Sequence, residues 1–154
     1  MGPQASSHLR AAYKASPYCS DIHLLCGMDD VFLRKAYAGA CLFIFPSLAE
    51  GFGWPIAEAM ASGCPVITTG EAPMTEVAGN EAYYIPKMPK NSLKKTKWDQ
   101  DAAIKIEEIL QLSQSKRDEV VARGIENAKR FDSEIALNKI EKIYMDILLN
   151  SDST

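Results

Sequence analysis

Two glutamates with seven residues between them, Glu50 and Glu58, frame a stretch that contains Gly51, Gly53, Trp54 and Pro55. Proline suits the first turn of a helix, so the loop Ser47 to Gly53 opens a helix at Trp54 or Pro55. Gly63 and then Pro65 end that helix. Unpaired N–H groups and the dipole at a helix start favour phosphate, and Gly51 and Gly53 let the backbone approach a ligand closely. A carboxylate at Glu50 would repel an anion unless it addresses another part of the same ligand, and a sugar hydroxyl is the natural partner. Glu58, about one turn into the helix, can reach the same pocket from its floor. Carboxylates accept charge-assisted hydrogen bonds from ribose or hexose hydroxyls, which makes the pair suited to a phosphorylated polyol. For a lone pair of glutamates the blander reading is preferred: a loop charge and a first-turn acid that complements the dipole.

These residues need a frame to hold them. Four short apolar runs rich in branched or aromatic residues predict strands at Ile22 to Cys26, Cys41 to Phe45, Val66 to Thr69 and Tyr83 to Ile85. Helical patterns alternate with them at Val31 to Ala38, behind the capping candidates Asp29 and Asp30, at Pro55 to Ser62 and at Pro73 to Ala78. Strands apolar on both faces and separated by helices indicate βαβ crossovers, so the fold class is α/β: a Rossmann-like parallel sheet of about four strands with helices on both faces. Ser7 to Ala15 reads as a helix at the start. At the other end a helical tail closes the domain over 99–149, in helices Asp99 to Leu112, Ser115 to Arg130 and Ser133 to Leu149. The apolar stripe Ala136, Ile140, Ile143, Tyr144, Ile147 and Leu148 predicts that the last helix packs down. A single domain over 1–154 accounts for the whole chain.

Composition narrows the function. At 154 residues and 47% hydrophobic the chain can bury one core but not two. A net charge of −3 with 24% charged residues suggests neither a nucleic-acid partner nor a disordered acidic chain, and no nucleic acid is expected. Cys19, Cys26, Cys41 and Cys64 have no paired spacing and read as small buried hydrophobes in a reducing compartment. With only His8 and His23 there is no histidine cluster, and no metal is expected. The longest apolar stretch, Ala40 to Pro46, falls far short of the roughly 20 residues of a membrane span, and Met1 to Ser7 has no secretory pattern, so a cytoplasmic location is expected, with a peripheral membrane placement open. Lys87, Lys90, Lys94, Lys95 and Lys97 crowd into Pro86 to Lys97; such a run is usually a solvated loop, and the sharper reading is an acceptor- or membrane-facing basic patch. Asp99-Gln100-Asp101 imitates a metal-binding Asp-x-Asp but opens a predicted helix, where capping is the simpler role.

The glutamates do not stand alone. The run from Phe45-Pro46-Ser47-Leu48-Ala49-Glu50-Gly51-Phe52-Gly53-Trp54-Pro55-Ile56-Ala57-Glu58 through Ala59-Met60-Ala61-Ser62-Gly63-Cys64-Pro65-Val66-Ile67 resembles the signature of the retaining glycosyltransferases called glycosyl transferases group 1. The likeness extends upstream to Ile22-His23-Leu24-Leu25-Cys26-Gly27 and downstream through Pro73 to Gly79 and the closing helices. It implies a partial C-terminal, donor-binding domain of a GT-B fold, with a UDP-, GDP- or ADP-sugar as donor, a polysaccharide, glycolipid or similar acceptor, and no cofactor. By the same resemblance Glu50 contacts the donor hexose and steadies positive charge at the anomeric carbon. The backbone at Gly51, Phe52 and Gly53 holds sugar hydroxyls, Trp54 and Pro55 face the diphosphate, Glu58 binds the ribose, and the Cys26-Gly27-Met28 turn lies near the base.

The pattern also departs from the family. Members begin this domain with a strand followed by an Arg and then a Lys that clamp the diphosphate, and they carry an N-terminal domain with the acceptor site. Neither is found here, which implies a fragment, a shortened piece or a degenerate gene product that lacks turnover of its own and exposes a sheet edge open to self-association. The alternatives are a non-catalytic sugar-nucleotide-binding or scaffolding module, favoured by the missing clamp and opposed by both glutamates, and a sugar-nucleotide epimerase, which would want a catalytic histidine that His8 and His23 do not obviously supply.

Overall fold

In the computed structural model, which describes residues 6–151, three parallel strands form one sheet in the order β1-β2-β3: Phe43–Phe45, Val66–Thr69 and Tyr83–Ile85. The register pairs Ile44 with Ile67 and Thr68 with Tyr84. All four residues of β2 are buried, as a central strand covered on both faces requires. The bounds of β2 and β3 coincide with the sequence expectation. β1 is shorter than Cys41 to Phe45 because its ladder begins where Phe43 N–H donates to the Pro65 carbonyl (2.8 Å).

The fourth expected strand, Ile22 to Cys26, does not form. The segment is exposed throughout, and the structure leaves it outside the sheet, with β1 as the edge. An apolar run states that burial is wanted, but a strand exists only where a neighbour takes up its backbone donors and acceptors.

Helices α1 (Ser7–Ala15), α2 (Asp30–Gly39), α3 (Trp54–Ala61) and α4 (Met74–Ala78) fall close to their expected positions. α2 starts because the Asp29 carboxylate accepts from the Phe32 N–H at 2.7 Å. One face of the sheet packs Phe43, Phe45 and Val66 against Ile56, Met60, Met74 and Val77 of α3 and α4, with Tyr37 and Leu33 of α2 at the margin. The other face sets Ile67 and Ile85 beneath Ala102, Ile106 and Ile109 of α5 (Ser92–Leu110). α6 (Gln114–Ala128) lies on α3, where buried Gly124 faces Met60; a Cβ there would reach Met60 at 3.6 Å, ordinary van der Waals contact. Helices therefore cover both faces, and the α/β class with a parallel sheet stands.

Three tail expectations are corrected. α5 begins at Ser92 rather than Asp99, because the Asn91 side chain caps it through the Leu93 N–H (2.9 Å) and lysine is a good helix former. Lys94, Lys95 and Lys97 are thus helical rather than part of a loop, and Asp99-Gln100-Asp101 lies inside the helix, where Asp101 pairs with Lys97 (3.2 Å) instead of capping. The last helix, α7 (Ser133–Ser151), does not pack down by its stripe: Ile140, Ile143, Tyr144, Ile147 and Leu148 are each half exposed or more. An apolar stripe announces a need for cover without naming what supplies it. Cysteine burial is also narrower than expected, since Cys64 alone is buried while Cys26 and Cys41 are exposed and Cys19 lies between.

Candidate functional site

The carboxyl end of β1 runs through Pro46 and Ser47 into the loop that carries Glu50. Two hydroxyls from β2 pin that exit: Thr68 Oγ1 donates to the Phe45 carbonyl (2.7 Å) and Thr69 Oγ1 to the Ser47 carbonyl (2.8 Å). Both threonines are fully buried, so the bonds form away from competing water. Ser47 Oγ in turn donates to Glu50 Oε1 at 2.8 Å and contacts the Ala49 carbonyl oxygen at 3.2 Å. The carboxylate is held in place from beneath while its residue stays exposed.

The loop then turns into α3 through Gly53, which is buried and adopts φ +100°, a conformation that favours glycine. No side chain caps this helix, unlike α1, α2, α5 and α6, whose starts are held by Ser6, Asp29, Asn91 and Ser113. Pro55 stands in the first turn. The positive end of α3 is left without a protein acceptor from a cap, beside the glutamate loop and at the carboxyl end of a parallel strand, where open α/β sheets take ligands.

Phe52 and Trp54 project beside this start and meet Phe131 from the turn Lys129–Phe131, with ring centroids 4.7 Å apart for Phe52–Trp54 and 5.6 Å for Phe52–Phe131. The Arg130 guanidinium covers Phe131 at 5.1 Å and donates to the carbonyls of Glu76 (2.9 Å) and Val77 (3.0 Å), which ties the turn to α4. Trp54 remains 54% exposed, so the cluster forms a wall rather than a plug.

Glu58 stands one turn into α3 and lines a cavity of about 340 Å³ with Asp30, Leu33, Arg34 and Tyr37 of α2. The lining does not include Glu50, so the two carboxylates do not share this cavity. Burial, then the neighbouring Glu58 charge, pushes the Tyr37 phenol up to about 12. Burial likewise raises the Cys64 thiol to about 11 against an opposing Arg117 charge. Both groups are held neutral in the fold and ionise more readily in the unfolded chain, so stability is full below the unfolded values and falls as pH rises. The thermal midpoint is expected to drop across pH 9 to 11 through Cys64 and 10 to 12 through Tyr37; Cys64→Ala and Tyr37→Phe should each flatten their part of a melting-temperature profile against pH.

Of the residues singled out in the sequence, Glu50 through Pro55 form one continuous loop and helix start, and Glu58 lies on the same helix. The Cys26-Gly27-Met28 turn leads into α2, but Cys26 lines another cavity, of about 330 Å³, with Arg10, Tyr13, Lys14 and Leu24. Sequence reasoning missed Thr68 and Thr69, because two threonines ending a strand look like ordinary β-formers. It also missed Arg34 and Tyr37 as neighbours of Glu58, although both sit on the helical face that carries Leu33.

Comparison with known proteins bears directly on this arrangement. Residues 1–97 match the family described as glycosyl transferases group 1. The chain is 43% identical over 53 residues to O-antigen chain mannosyltransferase B of Escherichia coli, covering 34% of this chain and 14% of that protein. It is 40% identical over 58 residues to the MMP alpha-(1->4)-mannosyltransferase of Mycolicibacterium hassiacum, covering 38% and 14%. The chain therefore spans 14% of the length of these curated relatives. Among solved structures, the pneumococcal O-GlcNAc transferase GtfA in complex with UDP and GlcNAc superposes with a TM-score of 0.68 at 26% identity, covering 92% of this chain and 28% of that one. Since the matched region holds β1, the Glu50 loop, α3, β2 and β3, and thus every strand among the described residues and the pinned loop, the chain belongs to the glycosyl transferases group 1 family.

Proposed function

We propose that this chain forms the donor side of a glycosyltransferase: it binds a nucleotide-diphospho-sugar, UDP-, GDP- or ADP-linked, whose sugar passes with retention to a polysaccharide, glycolipid or similar acceptor bound by another domain. The observation that carries the reading is the Glu50 loop, fixed through Ser47 and Thr69 and opening into a helix start that no side chain caps. The mannosyltransferase relatives and the structural neighbour holding UDP and GlcNAc support the same ligand class.

In this reading the donor diphosphate sits at Trp54 and Pro55, where the dipole of α3 meets its charge. The backbone at Gly51, Phe52 and Gly53 takes the sugar hydroxyls, and Glu58 accepts from the ribose hydroxyls at the mouth of its cavity. The Cys26-Gly27-Met28 turn lies on the base side. Glu50 faces the anomeric carbon: as the bond to the diphosphate stretches, positive charge grows on the ring, and a fixed carboxylate on one side with a stabilised departing diphosphate on the other lowers that barrier electrostatically. No covalent nucleophile and no metal enter the scheme. With a helix start contributing about 0.3–1 kcal/mol per interaction at an exposed site, the chain by itself binds donor weakly and does not turn it over.

Calorimetric titration of UDP and GDP checks this. At least one nucleotide should bind at up to millimolar concentration, and Glu58→Ala should weaken it roughly tenfold or more, as losing a hydrogen bond to a charged group implies about 1.5–3 kcal/mol. Absence of binding by both nucleotides would sink the donor assignment.

A further inference from the structure

The lysine-rich segment after β3 is not a uniformly solvated loop. Lys87, Met88, Pro89 and Lys90 fold with Lys95 of α5 and Leu48 of the β1 exit loop around a cavity of about 540 Å³, within the range of small-molecule sites. Its lining contains no carboxylate. Lys87 pairs with Glu71 at 2.8 Å, and Lys97, two residues beyond Lys95, pairs with Asp101, but Lys90 and Lys95 have no ion pair among the described residues. Lys95 is half-buried, as are Met88 and Pro89. In a chain of net charge −3, this puts concentrated positive charge against an aliphatic surface in one concavity.

We propose that this cavity binds an amphipathic phosphate: a phosphate ester head group between the Lys90 and Lys95 ammonium groups, its hydrocarbon chain against Leu48, Met88 and Pro89. A compact ammonium on a flexible stem suits a phosphate, and lysine stems can line an apolar chain while their heads stay at its charged end. None of the lining residues is among the donor residues, and a sugar nucleotide has no such chain. Leu48 sits two positions before Glu50, so the bound hydrocarbon chain lies beside the exit loop of β1.

Octyl phosphate below its aggregation limit tests the site by calorimetry on the full chain, with inorganic phosphate and octanol as head-only and tail-only probes. Octyl phosphate should bind saturably and at least tenfold more tightly than either probe. The double variant Lys90→Gln with Lys95→Gln, at one exposed and one half-buried position outside both cores, should lose at least tenfold of that affinity while keeping its melting temperature. Vesicles containing phosphatidic acid separate the sources: co-sedimentation that the double variant abolishes assigns a membrane lipid, and soluble binding without co-sedimentation assigns a free amphiphile. Octyl phosphate binding that survives the double variant places the alkyl chain elsewhere, on the exposed stripe of α7, and overturns the proposal. So does equal binding of inorganic phosphate, or full displacement of octyl phosphate by UDP. Loss of nucleotide binding in the preceding titration leaves the effect of the lysine variants readable, because neither lysine belongs to the donor residues.

Discussion

Ile67→Ala is expected to lower the unfolding free energy by about 2–5 kcal/mol, a large share of the roughly 5–15 kcal/mol that holds a domain of this size. Ile67 is fully buried at the centre of β2, packed with Ile85, Ala102 and Ile109, so its missing methylenes leave a cavity that two helix-covered faces cannot easily close. Ile44 supplies the control. It is the direct register partner of Ile67 and shares its face of the sheet, yet it is 45% exposed because α5 covers β2 and β3 but not the edge strand β1. Ile44→Ala should cost well under half as much. Urea denaturation of both variants measures the difference; near-equal losses would mean that the α5 face does not close over β2 as described.

How far the sequence foretold this fold depended on whether the signal was local. β2 and β3 were legible to the residue because each is a branched or aromatic run, β2 set between Pro65 and Gly70 and β3 ended by Pro86, and the start of α3 was legible because Gly53 and Pro55 have conformational roles that no tertiary contact has to supply. Ile22 to Cys26 and the stripe of α7 failed for a common reason: both are apolar patterns whose meaning depends on a partner, and among the described residues both stay largely exposed. The start of α5 was missed because a run of lysines read as solvated loop, whereas Asn91 caps a helix that lysines tolerate well.

The site divides along the same line. The Glu50 to Glu58 stretch is contiguous in sequence and could be found there. Its support could not, since Thr68 and Thr69 lie more than twenty residues from the carbonyls they bind and Phe131 reaches the glycine loop from the far end of α6. The lysines show how one signal can change meaning: as a charge run they specify nothing, but the turn into α5 gathers three of them around one concavity.

Glu50→Gln is expected to reduce sugar transfer at least a hundredfold in an enzyme that joins this domain to an acceptor-binding domain, while UDP or GDP affinity stays within about threefold. The loss of one group aimed at developing charge in a water-poor site commonly costs about 2.7–4 kcal/mol of barrier. Glutamine keeps the shape and can still accept from Ser47, so the loop held through Thr69 should remain in place and the change isolates the carboxylate charge. Thr69→Val separates position from charge. It removes the hydrogen bond to the Ser47 carbonyl without touching Glu50, and it should lower transfer less than Glu50→Gln does, by letting the loop drift. Steady-state transfer rates at saturating donor, with nucleotide titrations in parallel, distinguish the cases. A Glu50→Gln enzyme that transfers at nearly the original rate would remove Glu50 from the chemistry and leave the loop as a binding element alone.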